Sequence, residues 1–209
     1  KATVPTTQEE IQETNPLETV GETEQVQQPA ESVAATVNAV DTAQHVIDPS
    51  GIVIPDWITV DLIHINNVSR PAIALDAVND IAIHYVANPG SSAKANRDYF
   101  DSLDNPAVEG AGRQASAHLI VGLDGEVVQC LPLNEMAYAV RSRNPDTISI
   151  EVCHPDETGK FSDTTYNTLV KLTAWLLQQK GLTPDHVILL KMLLINSSLS
   201  VFLHIYYFP

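Results

Sequence analysis

Basic residues are scarce in this sequence: 11 Lys and Arg stand against 26 Asp and Glu, a formal net charge of -15. A footprint on a nucleic-acid backbone needs a clustered cationic excess, so the balance argues against nucleic acid and favours a neutral or cationic partner. Cysteine is nearly absent. Cys130 and Cys153 are too few for a disulfide framework and too isolated for a CxxC metal knuckle, and their spacing leaves open whether they pair. No HExxH and no GxSxG string occurs, which removes support for a helix-borne zincin site and for a serine-hydrolase elbow. The chain also lacks an initiator methionine and a charged-then-apolar leader, so a further segment is expected to precede Lys1. Any membrane attachment is expected to run through that missing segment.

The acidity is uneven. Residues 1–50 carry nine carboxylates against the single basic side chain of Lys1, with no aromatic residue and few large aliphatics to pack. This stretch reads as a disordered acidic linker. From Gly51 the character changes, with Ile52, Val53, Ile54, Trp57, Ile58, Val60, Leu62 and Ile63 supplying apolar mass, and a folded unit over 51–188 is expected.

Within that unit the patterns alternate between strand and helix. Ile81–Val86 is a short β-branched run closed by Asn88-Pro89-Gly90, which reads as a buried strand ending in a turn. Ser92–Leu103 reads as a helix capped by Ser91 or Ser92. Asp124-Gly125 between two apolar runs, Ala115–Val121 and Glu126–Leu131, signals a hairpin. In Thr147–Cys153 the alternation sets Ser149 and Glu151 on the face opposite Ile148 and Ile150. Ser162–Lys180 carries Leu169, Val170, Leu176 and Leu177 at helical spacing and stops at Gly181. The fold class that follows is α/β, a mixed central sheet flanked by helices.

Three histidines lie on or beside strands: His84, His118 and His154. One such histidine is ordinarily a satisfied core residue, whereas three near Glu151 form a more specific arrangement. A hydrolytic zinc site needs three protein donors, an open position for water and a carboxylate to carry the proton.

The ordered strings IAIHYV, NPGSSAKANRDYF, ASAHLIVGLDGEVVQCLPLNEMAYA, DTISIEVCHPDETGKF and LTPDHVI resemble the amidase-2 family of N-acetylmuramoyl-L-alanine amidases, which is related to phage endolysins and peptidoglycan recognition proteins. The resemblance covers about residues 52–188. It implies a zinc-dependent peptidoglycan hydrolase cutting the amide between N-acetylmuramic acid and L-alanine, with His84 as a zinc ligand and Glu151 as general base and acid. It also implies that Tyr85, His118 and Tyr138 lie in or behind the substrate groove. The partner expected is a muropeptide, the location outside a bacterial cytoplasmic membrane, at the cell wall, and the state a monomer. The alternative is a module that binds muropeptide without cutting it.

After LTPDHVI the family continues with an arginine-histidine-tyrosine-aspartate run, a glycine-lysine pair and a cysteine-proline pair, which hold the other two zinc ligands. Here residues 189–209 read LLKMLLINSSLSVFLHIYYFP, with no carboxylate and one lysine. So abrupt a switch resembles out-of-frame translation. Lys191, Asn196-Ser197-Ser198 and His204 interrupt it too often for a membrane span. Zinc binding by this chain is therefore expected to be impaired, with His186 and His204 as weak candidates for a lost ligand.

Overall fold

The structure is a computed structural model that describes residues 45–190. The acidic stretch before His45 and the tail after Leu190, with His204, lie outside the described residues. The elements in chain order are β1 (Val46–Ile47), β2 (Val53–Ile54), β3 (Ile58–Val60), β4 (Asp80–Tyr85), α1 (Ala93–Ser102), β5 (Leu119–Val121), β6 (Val127–Gln129), β7 (Thr147–Val152), α2 (Asp163–Lys180) and β8 (Val187–Leu189).

Six strands form one sheet in the order β3-β6-β5-β7-β4-β8. The β5–β6 hairpin is antiparallel and the other pairings are parallel, so the sheet is mixed, as the alternating patterns imply. Gly125 turns the hairpin at φ +80°, and a Cβ there would meet the Thr168 hydroxyl at 2.7 Å and a Thr164 methyl at 2.9 Å. Asp-Gly is thus required twice, by the turn's backbone and by the approach of α2.

Each face of the sheet is covered. Ile81, Ile83, Ile148 and Ile150 pack against Leu169, Leu172, Leu176 and Leu177 of α2, all fully buried. On the other face Ile120, Val128 and Cys130 meet Phe100 and Ala93 of α1. Burying each such leucine or isoleucine contributes roughly 1.5–3 kcal/mol, which makes the α2 face the main source of stability.

The helix ends follow their cap residues. Ser92 Oγ accepts from Ala95 N at 3.1 Å, Ser162 Oγ accepts from Thr165 N at 3.0 Å, and Gly181 closes α2 in the left-handed region. Cys130 and Cys153 are both free and buried, and burial pushes the Cys153 thiol up to about 12.

Two boundaries differ from the sequence reading. The folded unit includes Val46–Ile47, which pair with β2, and Asp48, which accepts from Leu133 N, Ser50 N and Gln129 Nε2 while only 4% exposed. An acidic residue at the end of an acidic stretch gives no sign that it is the buried anchor of a turn. At the other end Leu189 belongs to β8 beside β4, so the sheet runs one residue into the segment set apart as a tail.

Candidate active site

Parallel register sets His84 of β4 directly beside Glu151 of β7. Side chains alternate along a strand, and the isoleucines at 81, 83, 148 and 150 point to α2, so His84 and Glu151 share the α1 face. Neighbouring strands lie about 4.8 Å apart, which brings the imidazole and the carboxyl within reach of one small group.

Both side chains are half-buried, and each holds a buried polar atom unengaged: His84 Nε2 and Glu151 Oε2 have no hydrogen-bond partner. Burial without a partner disfavours charge. It holds the His84 imidazole below its ordinary value and pushes the Glu151 carboxyl up to about 8. An orphaned polar atom in a core costs on the order of 1–3 kcal/mol, and groups kept despite that cost cluster at functional sites.

Glu151 opens onto a cavity of about 690 Å³ walled by α1, by the turn after β4 and by the loop that follows α1. Asn96 and Tyr99 come from α1, Asn88 from the turn, and Glu109 and Arg113 from the loop. Sequence reasoning did not single out these five. They are brought together by tertiary packing of a helix with two irregular segments, which leaves no periodic signal.

The other expected residues fall elsewhere. Tyr85 projects to the α2 face, where its ring meets that of His154 edge-on at 5.3 Å. His118 is fully buried beside Ser149 of β7. Its Nδ1 accepts from Ser149 N at 3.0 Å, which leaves Nε2–H to donate to the Glu135 carbonyl at 2.8 Å, and burial holds this neutral ring down at about 4. Tyr138 is half-buried beside Ser116, donating its N–H to Ser116 Oγ at 3.0 Å, and does not line the cavity.

His154 has both ring nitrogens against main-chain carbonyls, those of Val86 and Asp156, so it is committed to the backbone. His186 contacts the Asn79 carbonyl at 2.8 Å, at the end of β4 remote from His84.

Comparison with known proteins identifies the class. The family model described as N-acetylmuramoyl-L-alanine amidase matches residues 74–199, more than half of the chain. The chain belongs to this amidase-2 family. It is 28% identical over 140 residues to N-acetylmuramoyl-L-alanine amidase CwlL of Bacillus licheniformis, covering 61% of this chain and 38% of that protein. It is 38% identical over 80 residues to N-acetylmuramoyl-L-alanine amidase BlyA of Bacillus subtilis (strain 168), covering 38% of this chain and 19% of that one. Among solved structures, a mutant endolysin from Bacillus subtilis superposes with a TM-score of 0.52 at 27% identity, covering 63% of this chain and 82% of its own. The chain thus spans about 38% of the length of the first of these curated relatives.

A hydrolytic zinc site draws on three protein donors. This family member offers His84, an imidazole with a free Nε2, and a carboxyl beside it. Among the described residues no group of three His, Cys, Asp or Glu side chains is placed to hold a metal ion. The donor set present between residues 45 and 190 therefore does not close around zinc.

Proposed function

We propose that this domain is a peptidoglycan hydrolase acting on the amide between N-acetylmuramic acid and the L-alanine of the stem peptide, at the cell wall. The single observation that carries the reading is the pairing of His84 and Glu151 on one sheet face beside a cavity, each with a buried polar atom left free. Family membership supplies the chemistry that such a pair serves.

In this reading Glu151 carries the proton. Hydrolysis of an amide moves one proton from the attacking water and delivers one to the departing nitrogen, because an unprotonated amine anion is too poor a leaving group. Burial pushes this carboxyl up to about 8, which favours its protonated form near neutral pH and leaves the ionised form within reach for taking the water's proton. His118 acts through another residue: its bonds to Ser149, two positions before Glu151 on the same face, fix the strand that presents the carboxyl. In the family reading His84 would be one donor to a zinc ion, which would supply Lewis-acid chemistry at the scissile amide. With only one donor among the described residues, zinc is held weakly and this exact chain turns over slowly.

The test is incubation of the whole chain with purified peptidoglycan and saturating zinc, followed by mass analysis of the soluble products. Free stem peptides beginning in L-alanine support the hydrolase. Retention of the protein on the wall with no soluble peptide indicates a binding module instead and overturns the proposal.

A further inference from the structure

His64 ties together two parts of the molecule that lie far apart in the chain. It stands in the extended stretch after β3, where Asp61 N donates to the Gln129 carbonyl at 3.0 Å and Ile63 N to the Cys130 carbonyl at 2.9 Å. Its ring reaches across to the end of α1, with Nδ1 2.6 Å from Asp101 and Nε2 2.8 Å from Asp104. A neutral ring carries one N–H, so only the imidazolium donates to both carboxylates at once.

The two acids are held unequally. Asp101 also accepts from His64 N at 2.8 Å and from Arg97 Nη1 at 2.7 Å. The Asp104 carboxylate has no second partner among the described residues. The other charges around the ring are spent on one another: Arg97 also meets Asp61 and Asp98, and Lys94 meets the same two acids. A neutral His64 therefore keeps Asp101 through Nδ1–H and turns the lone pair of Nε2 toward the Asp104 carboxylate, which it repels.

Asp104 opens the loop 104–113 that follows α1. Within that loop Val108 N donates to the Asn105 carbonyl and Ala111 N to the Val108 carbonyl, each at 3.2 Å, and Asn105 Oδ1 accepts from Ala107 N. Among the described residues, the His64–Asp104 bond is the one side-chain bond that joins residues 104–113 to another segment. Val108, Glu109, Gly110 and Arg113 of this loop form one wall of the cavity beside Glu151.

We infer that His64 is a pH-sensitive clasp on this loop: the imidazolium fastens Asp104 and with it the cavity wall, and loss of the proton releases both. The hydrogen bonds from Asp104 and then Asp101 raise His64 above its ordinary value, so the clasp stays closed through the usual histidine range and opens above it.

The experiment is methyl NMR relaxation of Ala107, Val108 and Ala111 in the full chain between pH 6 and pH 9, with the His64 ring followed in the same samples. Their motional amplitude is expected to rise about twofold, at the midpoint of the ring. His64→Gln, which has no proton to lose, is expected to show no such step. Asp104→Ala, which lacks the fastened carboxylate, is expected to show the raised motion at every pH. Unchanged methyls while the His64 ring titrates, or an Asp104→Ala loop as quiet as the wild type at pH 6, overturns the inference. An equal step in His64→Gln also overturns it and points instead to Glu151, which is pushed up to about 8 beside the same cavity.

Discussion

His84 and Glu151 are partners in parallel register across β4 and β7, and each buries a polar atom with no hydrogen bond. A core assembled for stability alone would place apolar groups there, as it does one residue earlier with Ile83 and Ile150. The sheet thus gives up stability at one end of its two central strands, and the expected consequences can be measured.

Glu151→Gln is expected to stabilise the metal-free protein at alkaline pH. Glu151 is raised to about 8 when folded, whereas a glutamate in the unfolded chain ionises near ~4.3. The unfolded state therefore releases its proton first, so stability is fully present below ~4.3 and falls as pH rises through the interval up to the folded value. Denaturant unfolding at pH 5 and at pH 8 should show the wild type losing on the order of a few kcal/mol from this group, and the variant losing less. Equal pH dependence in the two proteins would refute the buried, unpartnered carboxyl.

His64 is expected to stay protonated above the usual histidine range. Its Nδ1 lies 2.6 Å from Asp101 and its Nε2 2.8 Å from Asp104, and a neutral ring can donate to only one of them. Hydrogen bonds from Asp104 and then Asp101 raise it. Its stabilising contribution is present below the unfolded value and is lost as pH rises through the folded one. Proton NMR titration of His64 in Asp104→Asn should show its midpoint moving down; no movement would mean the ring does not bridge the two carboxylates.

Gly125→Ala is expected to cost roughly 1–3 kcal/mol, through both the positive φ and the crowding against Thr168 and Thr164. Thermal unfolding measures it. The double variant Gly125→Ala with Thr168→Ala should recover the part due to the Thr168 hydroxyl and leave the part due to φ.

His84→Ala is expected to lower what zinc affinity this chain has. Equilibrium dialysis against radioactive zinc should show weak binding in the wild type, reduced at least tenfold in the variant, since His84 is the imidazole with a free nitrogen next to Glu151. Identical uptake by both proteins would move the metal away from β4.

Much of this was legible in the sequence where local rules act. The Ser92 cap, the Asp124-Gly125 turn, the Gly181 stop and the shared face of Ser149 and Glu151 each follow from a short-range preference that tertiary structure had no reason to override. Tyr85 shows the limit of adjacency: a neighbour in the chain is on the opposite face in a strand, and this one meets His154. Asp48 looked like linker because burial of a carboxylate depends on distant donors, here the Leu133 N–H and the Gln129 side-chain amide N–H. Arg113 and Glu109 were invisible for the converse reason, since a loop without periodicity does not announce which wall it will form.

The most direct test of the paired site is the rate of release of new L-alanine amino groups from purified peptidoglycan at saturating zinc, with wild type, His84→Ala and Glu151→Gln compared side by side. Slow release by the wild type that drops to background in both variants, by about 100-fold or more for Glu151→Gln, is the result expected. Release by Glu151→Gln at the wild-type rate would contradict the account.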